Sequence, residues 1–219
     1  MEKLKTSFLA LVRNKWFCLF WLLFGLVYMT VYGMLFVEDL FTEGLRRVSI
    51  LGIAFEPTMA ATASVIGKTF PWAFRGWGLF QSIALSLNIL FLYRRYNYKS
   101  KAGNVLLVLG TVCIITTTMI RSTEEFGLQL VAHWATALLF AIFYAVAMGL
   151  ALLHMARSSK KSLVTVVVFI AMLVLMLVLL ALMGKSGAIE SIPMWGTYLI
   201  LLLTNFTGLY EENLPERTS

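Results

Sequence analysis

Residues 121–154 read RSTEEFGLQLVAHWATALLFAIFYAVAMGLALLH. A polar, acidic lead carrying Glu124 and Glu125 gives way to one apolar run, long enough for the roughly 20 residues that cross the hydrocarbon core of a bilayer. His133 lies one to two turns inside that run, and an ionisable side chain at that depth is costly unless it has a partner or a water-filled pocket. The stretch therefore decides two matters. The chain is built from membrane-crossing helices, and one of them carries a polar group that another part of the fold must answer.

The remainder of the chain agrees. Of its 219 residues, 60% are hydrophobic and 13% charged, with a mean hydropathy of +0.84. Soluble domains are about half apolar and a quarter charged, so that class is excluded. Apolar runs predict spans at about 16–37, 72–93, 104–120, 128–153, 163–183 and 193–209. The expected fold is all-α: a single-domain polytopic bundle of six transmembrane helices, integral to a plasma, inner or endomembrane. The first run follows Lys3, Lys5, Arg13 and Lys15, as a signal peptide would, but lacks a small-x-small cleavage site before Glu38 and reads as a retained anchor. Pro193 is expected in the first turn of the sixth span, where its missing N–H is not needed.

Charge sets the orientation. Lys and Arg cluster at the N-terminus, in the 2–3 loop (Arg94, Arg95, Lys99, Lys101) and in the 4–5 loop (Arg157, Lys160, Lys161). The alternate loops set Arg121 against Glu124 and Glu125, and Lys185 against Glu190. By the positive-inside rule both termini are cytoplasmic, and the net charge of +7 belongs to membrane topology rather than to nucleic-acid binding. The 38–71 connection joins the outer loops and, at that length, is expected to be partly structured or functional.

Polarity differs among the spans. The fifth is almost wholly branched and apolar, which places it at the periphery. In the second, Gln81 and Asn88 are seven residues apart on one face, as are Thr197 and Thr204 in the sixth. In the fourth, His133 is followed at four-residue spacing by Ala137, Ala141, Ala145 and Gly149, a small-residue stripe of the kind that lets membrane helices pack closely. That stripe makes the fourth span the expected centre of the bundle, facing the second, third and sixth.

The candidate site is an outer-face set. His133, Glu124 and Glu190 are the candidate catalytic residues, since a carboxylate beside an imidazole orients it as a general base. The plainer reading is that His133 makes an interhelical hydrogen bond and the acids are solvated. Ser122 and Ser191 lack a Gly-x-Ser-x-Gly context, so no nucleophile is evident. Gln81, Asn88, Arg121, Glu125 and Trp195 are the candidate ligand-binding residues. His154 lies 21 residues beyond His133, about 31 Å along a helix, so the two cannot ligate one haem iron. Cys18 and Cys113 fall inside spans and read as packing thiols, and no metal or cofactor is expected. Lys185 reads as a snorkelling lysine at a span end, and the tryptophans as interface anchors.

The run GLFQSIALSLNILFLYRRYNYKSKAGNVLLVLGTVCIITTTMIRSTEEFGLQLVAHWATALLFAIFYAVAMGL resembles the middle of the DRAM/FRAG/SFK family, six-span proteins that include autophagy modulators and GPI-lipid-remodelling factors. In that family a polar residue precedes the fourth-span His by nine positions, as Glu124 precedes His133 here. Ser64, Gly67 and Pro71 resemble its first loop, and Ser191, Trp195 and Thr204 its last span. Val65, Trp72 and Met194 stand where the family pattern carries acids. The resemblance implies a protein that binds or organises membrane lipid, or supports a lipid-handling membrane partner, without catalysis of its own. The alternative is an intramembrane lipid hydrolase or acyl transferase, with His133 as base and Glu124 or Glu190 orienting it. A further alternative is a small transporter or an accessory subunit, against which stand the lack of a repeated half and of a glycine-broken span.

Overall fold

The structure is a computed structural model and describes residues 10–35, 49–50, 53–54, 61–120, 126–157 and 159–210. In chain order its helices are α1 (Lys15–Gly33), the short α2 (Ala63–Thr69), α3 (Pro71–Arg95), α4 (Lys101–Met119), α5 (Leu128–Ala156), α6 (Lys160–Met183) and α7 (Gly187–Phe206). All but α2 are long and apolar enough to cross a membrane. The 38–71 connection holds α2 and a minimal antiparallel pair of β1 (Ser49–Ile50) and β2 (Ile53–Ala54), with Ser49 opposite Ala54.

Local chemistry sets the helix starts. Side-chain oxygens of Asn14, Thr62, Ser100, Ser159 and Ser186 accept backbone N–H groups in the first turns of α1, α2, α4, α6 and α7. Helix α3 opens instead on Pro71. The Ser186 cap starts α7 six residues before Pro193, so that proline is interior rather than in the first turn. It removes the hydrogen bond that the Ile189 carbonyl would otherwise accept within the helix.

The spans run alternately up and down. Tyr32 meets Ala63, His133 meets Ile120 and Lys185 meets Glu190 at one end of the bundle. Tyr96 meets Thr204, Tyr98 meets His154 and Thr165 meets Tyr210 at the other, where Arg94, Arg95, Lys99, Lys101, Arg157, Lys160 and Lys161 also gather. The helices close a ring in the order α1, α3, α4, α5, α6, α7, with α7 returning to both α1 and α3.

The centre is α3 rather than the fourth span. Of its apolar window, 61% is buried, against 28% for α5, and it touches α1, α4, α5 and α7. The reason is its polarity: α3 carries Gln81, Ser82, Ser86 and Asn88. Apolar side chains gain no hydrophobic energy by leaving lipid, whereas polar ones do gain by finding protein partners. Helix α6, with almost no polar side chain in its middle, is only 11% buried by the same measure and lies at the periphery, as its composition predicts.

Tyrosine hydroxyls tie neighbouring backbones together. Tyr28 donates to the Ala73 carbonyl (3.0 Å), Tyr32 to Ala63 (2.7 Å), Tyr93 to Ala147 (2.7 Å) and Tyr96 to Thr204 (2.7 Å). Ser86, Thr111 and Tyr144 share hydrogen bonds of 2.7–3.0 Å where α3, α4 and α5 meet. Interhelical bonds of this kind contribute about 0.6 to 1.7 kcal/mol each in a bilayer. Trp16, Trp72 and Trp134 are exposed, as anchors would be, but Trp77 is buried against Phe74 and Phe140 and belongs to the core.

Candidate functional site

Helix α5 packs on α4 and α6, while α7 packs on α6, α3 and α1. The space left between α5 and α7 is a cavity of about 520 Å³, within the roughly 300–1,000 Å³ range of small-ligand sites. On the α5 side, Ala137, Ala141 and Ala145 line it among larger residues such as Leu138 and Phe140, and their short side chains leave volume that larger ones would fill. Met176 and Leu180 of α6, Met194 and Trp195 of α7, and Leu85 and Ile89 of α3 supply the other apolar surfaces. The small-residue stripe therefore borders a space along most of its length. At Gly149 an α6 side chain, Phe169, comes within van der Waals reach of where a Cβ would stand (3.7 Å).

The short helix α2 covers one end of this space. Ala61, Ala63, Ser64 and Ile66 line it, and Ile66 is fully buried. Tyr32 holds the Ala63 carbonyl, and Gly67 lies so close to the Phe74 ring that an added Cβ would meet it at 2.6 Å. The connection between the first two spans is thus folded onto the bundle in this segment.

His133 is 2% exposed and lines the cavity beside Phe74. Its Nδ1 lies 3.1 Å from the Thr117 carbonyl and 2.9 Å from that of Ile120. Both partners can only accept, so Nδ1 is the donor and Nε2 is the ring nitrogen not engaged by α4. Thr117 is in the last turn of α4 and Ile120 is its C-cap, where carbonyls lack partners within their own helix. His133 therefore caps α4 from α5. Thr117 Oγ1 donates to Thr136 Oγ1 (2.8 Å) one turn away and strengthens the same junction.

Glu190, in the first turn of α7, lines the cavity and pairs with Lys185 at 3.4 Å. The two side chains are 34% and 53% exposed, so the pair contributes only about 0–1 kcal/mol and is easily opened. Lys185, expected to snorkel, has this carboxylate as its partner. Ser191 Oγ donates to the Gly187 carbonyl (2.7 Å). His133 and Glu190 thus share one cavity, each with a different partner.

Gln81 and Asn88 do not line the cavity; they sit where α1, α3 and α7 meet. Gln81 Nε2 donates to the Gly25 carbonyl (2.8 Å), and its Oε1 accepts from Tyr198 (2.6 Å). Asn88 Nδ2 donates to the carbonyls of Cys18 (3.0 Å) and Ala84 (2.8 Å), and the Asn88 carbonyl accepts from Asn205 Nδ2 (2.9 Å). Trp195 does line the cavity. Arg121, Glu124 and Glu125 lie outside the described residues. The residues that sequence reasoning missed are the tyrosines, above all Tyr198 and Tyr144, whose hydroxyls complete the buried polar contacts; the signal available was a hydroxyl too deep in a span to reach water. Cys18 and Cys113 are free thiols, and no group of three metal-binding side chains gathers among the described residues.

Comparison with protein-family models, with characterised proteins and with solved structures finds no match to this chain.

Proposed function

We propose that this integral membrane protein binds a membrane lipid in the cavity between α5, α6 and α7, organising that lipid or presenting it to a lipid-handling partner, with both termini on the cytoplasmic side. The observation that carries the reading is the lining: a largely apolar interior of about 520 Å³ whose charged pair, Lys185 and Glu190, sits with His133 at one end of the bundle. An amphipathic molecule needs that division. Leu138 and Ala141 both border the cavity and face outward, which gives an acyl chain a lateral way in from the bilayer. The resemblance to the DRAM/FRAG/SFK family supports the same reading and makes membership of that family part of the proposal.

Native mass spectrometry of protein released from lipid nanodiscs tests it. The wild type retains lipid, and the double variant Ala141→Phe with Ala145→Phe, which fills the space, retains at least about tenfold less at an unchanged melting temperature. Lipid-free wild-type protein, or equal retention by the filled variant, overturns it. A second reading, an intramembrane lipid hydrolase or acyl transferase, is favoured by the presence of His133 and Glu190 in one cavity. It requires Nε2 of His133 as base, since Nδ1 is engaged by α4.

A further inference from the structure

We infer that the polar end of the cavity is a headgroup subsite for a zwitterionic glycerophospholipid, with Lys185 taking the phosphate and Glu190 the amine. This rests on the lipid reading above and names the ligand's chemical class.

Lys185 follows the end of α6 and Glu190 stands in the first turn of α7, so both are at a span boundary, the depth at which headgroups lie. Both line the cavity. Each is the other's ionic partner at 3.4 Å, and both side chains are partly exposed. An ion pair of this kind discriminates by sign. A headgroup with only negative charge gains Lys185 but is repelled by Glu190, and a cationic one meets the reverse. A phosphoethanolamine or phosphocholine group carries both charges, joined through two carbons. It can enter the pair and give each side chain a new partner, leaving no charge unanswered. Trp134 and Trp195 on the same lining add aromatic faces that suit an ammonium group. The acyl chain then lies along Ala137 and Ala141.

The test is lipid-class selectivity. Wild-type protein and the variants Glu190→Gln and Lys185→Gln are reconstituted in nanodiscs of equal phosphatidylethanolamine, phosphatidylcholine and phosphatidylglycerol. Bound lipid is then counted by native mass spectrometry after detergent extraction. The wild type is expected to keep the two zwitterionic classes over phosphatidylglycerol by about tenfold. Glu190→Gln shifts the ratio toward phosphatidylglycerol, and Lys185→Gln loses zwitterionic lipid without gaining the anionic class. Should either variant fail to fold, the double variant Lys185→Gln with Glu190→Gln removes both charges together and carries the test, with the preference for the zwitterionic classes over phosphatidylglycerol expected to be lost. If lipid is bound but its class ratio is the same in every variant, the headgroup assignment falls while the cavity reading stands. If wild-type protein holds no lipid, both fall.

Discussion

Helix α7 has two contrasting neighbourhoods. On one side, against α1 and α3, buried amide N–H groups are engaged: Gln81 bridges the Gly25 carbonyl and Tyr198, and Asn205 holds the Asn88 carbonyl. On the other, facing α5 across the cavity, Glu190 has Lys185 as its ionic partner and both remain partly exposed. The difference separates two uses of polarity within a membrane. A buried amide whose N–H groups are answered by backbone carbonyls of neighbouring helices fixes those helices in register. A weakly held charge pair on a cavity rim is free to exchange partners with a ligand.

The largest expected effect comes from forcing the closed side apart. An added Cβ at Gly25 would stand 2.4 Å from the Tyr198 hydroxyl and 2.6 Å from the Ala84 Cβ, so both neighbours must move. Gly25→Val is expected to destabilise by at least about 1–3 kcal/mol, the usual cost of overpacking. Thermal unfolding in detergent measures it; an unchanged transition would show that α1 is not held tightly against α7.

A smaller effect follows from Gln81→Leu, which leaves the Tyr198 hydroxyl without its acceptor in a buried place and removes the bond that ties α3 to the Gly25 carbonyl of α1. The expected loss is about 1–2 kcal/mol. Adding Tyr198→Phe removes the orphaned hydroxyl and should recover part of that loss, since removing both partners of a buried bond costs less than removing one. Strictly additive losses would mean that the Gln81–Tyr198 bond is not what joins α3 to α7.

Six spans, their order and the peripheral place of α6 are legible because apolar length and composition alone determine them. The centre is not, because the stripe of Ala137, Ala141, Ala145 and Gly149 has two meanings that spacing cannot separate. Small side chains permit close approach, and equally they leave room when the neighbour does not approach. Which holds depends on α3, whose buried amides and hydroxyls draw α1, α4 and α7 around it. Gln81 and Asn88 show the same limit. Their shared face was readable, but not that Gly25 and Cys18 of α1 would present carbonyls to it. His133 and Glu190 were legible as two polar residues near one face, and the structure puts them in one cavity. Their partners were not, since Lys185 and the end of α4 are brought there by turns between helices.

His133 lies on the boundary between the two neighbourhoods, and the smallest predicted effect tests on which side it belongs. Its Nδ1–H answers two carbonyls at the end of α4, which is the engaged kind of polarity, yet its ring also lines the cavity. His133→Phe keeps a flat ring beside Phe74 and removes the hydrogen bonds. The expected cost is about 0.6–1.7 kcal/mol, a fall of roughly 2–6 °C in melting temperature. Faster hydrogen exchange at the end of α4 should accompany it, with lipid retention unchanged, because Ala137 and Ala141 still shape the apolar wall. A loss of lipid retention or of lipid turnover at an unchanged melting temperature would instead put Nε2 to work in the cavity, and His133 would then belong with Glu190 and Lys185.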